Sequence, residues 1–478
     1  MSKRCTLILL LGGLVTSALS WAELPLGEKP DASTSDVATQ ATEQPAAKVA
    51  PPIPAEVLKI GEITAKFGKL DGTCTTWNIG CVPAGDTITR DEGGVRSALA
   101  KYHIGFIGFF SGTGGYNFAQ APQNPQVYNY EKPDWDTGAL MWVTYNFPSA
   151  TKMQFVTGGI FQRTSYSGIA GYNIFRPTNA YLHQELFNGK LAYTIGWLNN
   201  DTFVYGGYIA GNLASGTLGV NAVIPYEVGM GYTPYIAPAV VLKYKFKNGL
   251  YAIADIQRSQ DPNGTRAGQE RDKLGFRLIP HGDGALYMPE IGYQKVAAPG
   301  VKEIWFRATG FYNASHYQDY SSVNDVYTGV KGHNGAGSVV FEQQITQPDK
   351  YLAYRGLYWT ATTQGALPDY NVYEAYYQFA LYSLGLFHSR PLDLMIFNVN
   401  RTQFSRTVLN TFQQLPHSSG AQMGVPAYDD STSISGTYGY HICPGTSLNA
   451  IFSYTRHPTF APKLDNPLTG ILKLNFNF

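Results

Sequence analysis

The final nine residues, Gly470 to Phe478, read Gly-Ile-Leu-Lys-Leu-Asn-Phe-Asn-Phe. Leu472, Leu474, Phe476 and Phe478 fall on one face, and Ile471, Lys473, Asn475 and Asn477 on the other. This period of two is that of a strand with one apolar and one mostly polar side. Soluble strands alternate in the same way. A strand that ends on an aromatic residue, follows many similar runs and belongs to a chain opened by an export signal is expected to close an antiparallel β-barrel in a membrane.

The rest of the chain repeats the pattern. Runs of about ten residues alternate and are separated by turn residues, the texture of transmembrane strands. Ile104, Phe106 and Phe110 share a face, as do Met141, Val143, Tyr145 and Phe147. Asn188-Gly189 and Asn248-Gly249 are pairs suited to type I′ hairpin turns. After the first, Leu191, Tyr193, Ile195 and Trp197 oppose Ala192, Thr194 and Gly196. Before the second, Val240, Leu242, Tyr244 and Phe246 oppose Lys243, Lys245 and Lys247, which are read as a rim beside the turn. Leu274, Phe276 and Leu278 against Lys273, Gly275 and Arg277 predict another strand. Ile304, Phe306, Ala308 and Tyr312 oppose Trp305, Arg307 and Thr309. Small and charged opposite faces suit a wet lumen and not a packed core. The alternating runs predict between 12 and 18 strands. Long polar stretches such as 201–236 and 402–430 exceed ordinary hairpin loops, and some are expected to fold back and narrow the barrel.

Lys3 and Arg4 followed by the apolar stretch Thr6 to Val15, with Ser20-Trp21-Ala22, predict a signal peptide over residues 1–22. The stretch is too short for a membrane-spanning helix, which needs ~20 apolar residues. Residues 23–66, rich in Pro, Ala, Ser and Thr, are expected to form a periplasmic linker, within which Val57, Ile60 and Ile63 could line a short helix. Residues 67–478 are assigned to the barrel. Charged residues make up only 14% of the chain, and a mean hydropathy of −0.17 is not that of a helical membrane protein. Loss of Lys3 and Arg4 with the signal takes the net charge from +1 to −1, which gives no reason to expect a nucleic-acid partner. Cys74 and Cys81 are expected to form a disulfide in the oxidising periplasm, leaving Cys443 alone. No metal-ligand run and no cofactor motif is present.

At this point the chain resembles the carbohydrate-selective porins of the OprB family. The resemblance lies in Gly94-Val95-Arg96 through His103-Ile104-Gly105-Phe106, in Leu191 to Asn212 with Gly196-Trp197, in Pro289-Glu290-Ile291-Gly292-Tyr293, and in the block from Tyr438-Gly439-Tyr440 to Phe478. It implies a sixteen-stranded barrel in the bacterial outer membrane, passive entry of small carbohydrates, and a homotrimer.

A sugar presents hydroxyls and apolar C–H faces, which Arg, Glu and Gln, and aromatic rings, can meet. Arg277, Trp305, Arg307, Glu342, Arg355 and Trp359 lie on the less apolar strand faces and are the candidate pore-lining residues. The tryptophans could equally belong to a lipid-facing girdle. Other readings are a polysaccharide export channel, an outer-membrane hydrolase using His183 with Glu185 or His441, and a soluble secreted β-protein. No Gly-x-Ser-x-Gly elbow supports the hydrolase.

Overall fold

The computed structural model describes residues 53–71, 83–119, 126, 128–148, 152–166, 174–205, 224–233, 235–349, 352–415, 428–460 and 464–478. The proposed signal peptide, most of the linker, Cys74 and Cys81 lie outside these residues.

Sixteen antiparallel strands form a closed barrel: β1 (Ile104–Asn117), β2 (Asp134–Asn146), β3 (Met153–Thr164), β4 (Ile174–Leu186), β5 (Leu191–Leu198), β6 (Ala237–Lys245), β7 (Leu250–Arg258), β8 (Ala285–Lys295), β9 (Ile304–Gln318), β10 (Lys331–Gln344), β11 (Gly356–Ala366), β12 (Tyr373–Leu384), β13 (Leu394–Phe404), β14 (Asp430–Cys443), β15 (Thr446–Arg456) and β16 (Leu468–Asn477). Each strand pairs with its sequence neighbours, and β16 closes on β1 from Phe109↔Asn477 to Asn117↔Thr469. Phe478 extends the seam: its N–H donates to Gly108 O at 2.8 Å, and its carbonyl accepts from Gly108 N at 3.1 Å. The apolar residues read from the terminal strand face outward, with Leu472 59% exposed, while Ile471, Lys473 and Asn475 are buried inside.

Connections differ sharply between the two ends. One end has tight turns. Asn188 (φ 56°) with Gly189 (φ 80°), and Asn248 (φ 63°) with Gly249 (φ 87°), adopt the paired left-handed conformations of the expected turns. The other end carries the long connections, including 199–236 between β5 and β6. Outward aromatic pairs ring both ends: Tyr145–Phe147 and Tyr244–Phe246 near the short turns, Tyr116–Phe118 and Tyr287–Tyr312 near the long ones. This is the arrangement of interfacial girdles. Among the described residues no helix is long and apolar enough to cross a membrane.

Several sequence expectations are corrected. Residues 273–278 are not a strand. They follow the helix Thr265–Arg271, and Asp272 accepts the N–H groups of Gly275 and Arg277, so their alternation belongs to a capped loop. Strand β3 has no counterpart in the reading. The short helix expected within the linker is present as α1 (Ala55–Phe67), with Val57 and Ile60 buried and Ile63 half-buried. Gly94 to Ala100, within the first stretch that carries the family resemblance, is helical, with α2 at Val95–Ala100. Cys443 is disulfide-bonded rather than alone. Its partner lies outside the described residues, among which no cysteine is free.

Leu472 sits mid-strand on the outer face. Leu472→Arg should lower the stability of the folded barrel by about 2–4 kcal/mol, the cost of a lipid-facing arginine at the bilayer midplane. Urea titration in lipid vesicles measures it, and an unchanged midpoint would place that face away from lipid.

Candidate functional site

The barrel interior is not uniformly wet. Two patches of its wall are apolar, and each is covered by a segment folded inward. The first is near the short turns. Ile107, Phe109, Leu140, Trp142 and Ile160 of β1–β3, with Tyr358, Tyr382, Leu394 and Ile396 of β11–β13, form one cluster with Val57 and Ile60 of α1. Helix α1 presents these two side chains three residues apart, on one face. Glu56 in its first turn and Lys66 in its last suit the helix dipole. Gly85 lies so close to the Ile60 carbonyl that a Cβ there would clash.

Polar contacts fasten this N-terminal segment to the short-turn end. Leu70 O accepts from Thr144 Oγ1 and from Asn146 Nδ2, the latter at 3.0 Å. Ile88 N donates to Asn477 O at 2.8 Å. Asp71 pairs with Arg96, and Glu56 with Arg90. Asp86 meets His441 Nε2 at 2.9 Å and accepts from Gly445 N at 2.9 Å. Burial alone would raise the Asp86 carboxyl, but His441, Gly445 N–H and Arg90 hold it below the usual carboxylate range.

The second patch is covered by the β5–β6 connection. Phe203, Val204 and Tyr205, with Ile224, Val228 and Met230, pack on inward-facing Tyr181, Val241, Ile253, Leu286, Met288 and Phe311. The connection is tethered on both sides. Tyr205 N donates to Glu290 Oε2 at 3.0 Å, and Tyr205 OH accepts from Gln364 Nε2 of β11 at 2.7 Å. At the end of helix α3 (Ile224–Glu227), the Glu227 carboxylate accepts the N–H groups of Val372 (2.6 Å) and Tyr373 (3.2 Å). The segment therefore crosses from β5 to the β11–β12 turn and narrows the interior. The sequence suggested inward folding without showing which loop.

Beneath this loop lies a linked polar cluster on β7–β9. Glu290 accepts from Tyr251 OH at 3.0 Å and from Thr309 Oγ1 at 2.7 Å, and Trp305 Nε1 donates to Tyr251 OH at 3.1 Å. The Arg307 guanidinium lies 4.2 Å over the Trp305 ring. It is 1% exposed, and none of its three nitrogens has a hydrogen-bond partner. Lys243, assigned to a rim with Lys245 and Lys247, instead points inward over the Tyr251 ring at 4.9 Å.

Of the six candidates, Trp305, Arg307 and Glu342 face the interior together, with Glu342 opposite Trp305 in register. The other three do not join them. Arg277 is in the β7–β8 loop, its carbonyl bonded by Arg258. Arg355 precedes β11 and is held by Gly385 O (2.9 Å), Asp349 (3.2 Å) and His388 (3.2 Å). Trp359 faces outward, against Phe341 and Phe379 at 4.8 and 6.1 Å. Sequence reasoning missed Glu290, Tyr251 and Tyr205. Glu290 stood inside a quoted motif without being weighed as a lining residue. His183, imagined in a hydrolase, bonds Thr194 Oγ1 at 3.0 Å. Among the described residues no group of His, Cys, Asp and Glu could hold a metal.

Two expectations follow. Ile60→Asp places a charge in an apolar cluster, a cost of several kcal/mol that undocking of α1 avoids. Single-channel conductance should rise while the barrel remains heat-modifiable on gels; unchanged conductance would mean that α1 obstructs nothing. Burial pushes the Glu227 carboxyl up to about 7 from an ordinary 4.5, against the two N–H groups that lower it. A raised value in the docked loop means that docking gains on acidification, fully below about 4.5, and loses that gain as pH rises through about 7. Current fluctuations should therefore become rarer as pH falls across that window, and Glu227→Gln should abolish the trend.

The comparisons agree with this geometry. The family model described as "Carbohydrate-selective porin, OprB family" matches residues 139–478, well over half of the chain. The high-pH structure of Pseudomonas putida OprB shares the fold, with a TM-score of 0.67 at 18% identity, over 84% of this chain and 98% of that one. The low-pH structure of the same protein gives 0.49 at 14% identity, over 82% and 98%. The outer membrane channel DcaP of Acinetobacter baumannii gives 0.46 at 11%, over 78% and 97%. No curated protein sequence matches the chain significantly. Family and fold are those of a channel rather than an enzyme, and the chain belongs to the carbohydrate-selective porin OprB family, an outer-membrane channel for small solutes.

Proposed function

We propose that this channel passes small neutral sugars by passive diffusion, without catalysis or cofactor, and that Arg307, Trp305 and Glu342 line its narrow zone. The observation that carries this is the Arg307 guanidinium. It is a rigid fork of donors, stacked flat on an indole and unpaired with any protein group. A fork of this kind bonds hydroxyl oxygens in fixed directions, and an aromatic face nearby covers sugar C–H groups. Glu290 is already engaged by Tyr251, Thr309 and Tyr205, which leaves Arg307 as the charge with bonds to offer. A concentration gradient supplies the driving force, so sites need only be strong enough to admit a solute and weak enough to release it. The same proposal takes the outward band around Leu472, Phe452 and Phe379 to meet bilayer tails and, in a homotrimer, neighbouring copies.

In planar bilayers, Arg307→Ala should weaken glucose block of the ion current about tenfold, the scale of one lost charged hydrogen bond. Ion selectivity should also shift toward cations. If block and selectivity both stay at wild-type values, Arg307 is outside the narrow zone. If the wild-type current does not respond to any neutral sugar, the sugar reading fails.

A further inference from the structure

The β7–β8 connection runs through the helix Thr265–Arg271 and returns to the barrel through residues 272–283. In the returning stretch Leu274, Phe276, Leu278 and Ile279 are 55%, 38%, 63% and 83% exposed. No other connection between strands exposes more than two large apolar side chains among the described residues. The stretch reaches the outer wall. Phe276 packs edge-on against Trp197 of β5, with ring centroids 5.5 Å apart, and Trp197 shares the outward phase of the exposed Ile195. Strand β8, which follows, carries Tyr287 of the outward aromatic pair at this end. The acids of the stretch are taken up in ion pairs that hold its frame. Asp272 meets Arg258 at 2.8 Å and also accepts the Gly275 and Arg277 N–H groups. Asp283 meets Arg271 at 2.9 Å, and Arg271 bonds Asp261 as well. Arg258 further donates to the Arg277 carbonyl. The charges left exposed are Lys273 and Arg277, with His281 beyond them. Glu270, on the preceding helix, is the nearest exposed acid in sequence, and β5–β7 turn no acid outward, because Asp255 is buried inside.

We propose that this loop anchors the barrel in the outer leaflet. Its apolar side chains lie among acyl tails, and Lys273 and Arg277 meet the headgroup of a lipid of net negative charge. This rests on the lipid-facing reading of the outward band above and adds a lipid-recognising element to it. Exposed apolar side chains beside cations are the composition of an interfacial anchor. The long stems of Lys and Arg let the charge stay at headgroup level while neighbouring apolar groups go deeper. Each cation near an anionic surface adds to the attraction. The pairing of Asp272 and Asp283 with arginines leaves nothing in the loop to repel a phosphate. Barrels of this class carry their long loops on the outside, which sets the leaflet.

The test uses the full-length purified protein in detergent micelles. Phosphatidylglycerol is the anionic probe and phosphatidylcholine the zwitterionic control, and bound lipid is counted by native mass spectrometry. The wild type should prefer phosphatidylglycerol. Lys273→Gln with Arg277→Gln should weaken phosphatidylglycerol binding about thirtyfold and leave phosphatidylcholine binding unchanged. Should that pair not fold, Lys273→Gln alone is expected to weaken it about fivefold. Leu278→Asn with Ile279→Asn should weaken both lipids alike. Equal binding of the two lipids by the wild type, or wild-type phosphatidylglycerol binding in the folded charge-free variant, would overturn the anchor. So would a Leu278→Asn, Ile279→Asn variant that splits an oligomer into single copies while keeping its lipid, since the loop would then dock on a second copy. An unchanged barrel stability for Leu472→Arg in vesicles would instead sink the lipid-facing reading of the whole band, a separate result from indifference to headgroup charge.

Discussion

Backbone amides inside a hydrocarbon layer have no water to turn to, and an unpaired one there costs several kcal/mol. A sheet meets this demand only if it has no edge. The bond pair between Phe478 and Gly108 completes that condition, and the ladder from Phe109↔Asn477 to Asn117↔Thr469 carries it along the seam. Once the ring is closed, side-chain phase does the rest. The outward phase of the strands is mostly apolar or small, as an outer-membrane barrel requires, while the inward residues are released from that rule.

That release explains the mixed interior. A ring of sixteen strands is too wide for its own side chains to meet across the centre. An apolar inward patch must therefore be covered by something else or stay wet. Here α1 covers Ile107, Phe109 and Leu394, and the β5–β6 connection covers Val241, Leu286 and Met288. Each insert is also held by polar contacts at its margins: Leu70 O with Thr144 and Asn146 for the first, Glu227 with the Val372 and Tyr373 amides for the second. Apolar burial makes docking favourable, and the directional bonds fix where each segment lies.

The outer face was legible in the sequence because lipid imposes a simple code on it. Leu472, Leu474 and Phe476, or Ile304, Phe306 and Ala308, can be read in phase without knowing their partners. The inner face obeys no such code. Ile396 and Leu394 look like any core residues until α1 is seen beside them, and Glu290 gives no sign that three groups converge on it. Phase errors follow from the same cause. Arg355 and Trp359 share a parity, and the arginine suggested a wet face. Yet Arg355 precedes β11 and is anchored by Gly385, Asp349 and His388, whereas Tyr358, Thr360 and Thr362 set the inward phase of the strand itself. At 273–278 the alternation is real but short, and Asp272 turns it into a capped loop. Cys443 illustrates a limit of another kind: disulfide pairing depends on approach in space, which sequence spacing between Cys74 and Cys81 cannot reveal.

The interior divides its labour between two walls. Lys243, Glu290 and Arg307 put both signs of charge within one cluster, so the field they create is local and partly self-cancelling rather than a ring of one sign. The chain's formal net charge of +1 is consistent with that balance. Across the barrel, β13–β16 turn mostly hydroxyls and amides inward, together with Lys473 and His441. A charged solute gains from the first wall only at short range. Selectivity of this kind needs no tight site. It arises where polar groups offer hydrogen bonds and opposite charges lie close enough to offset one another.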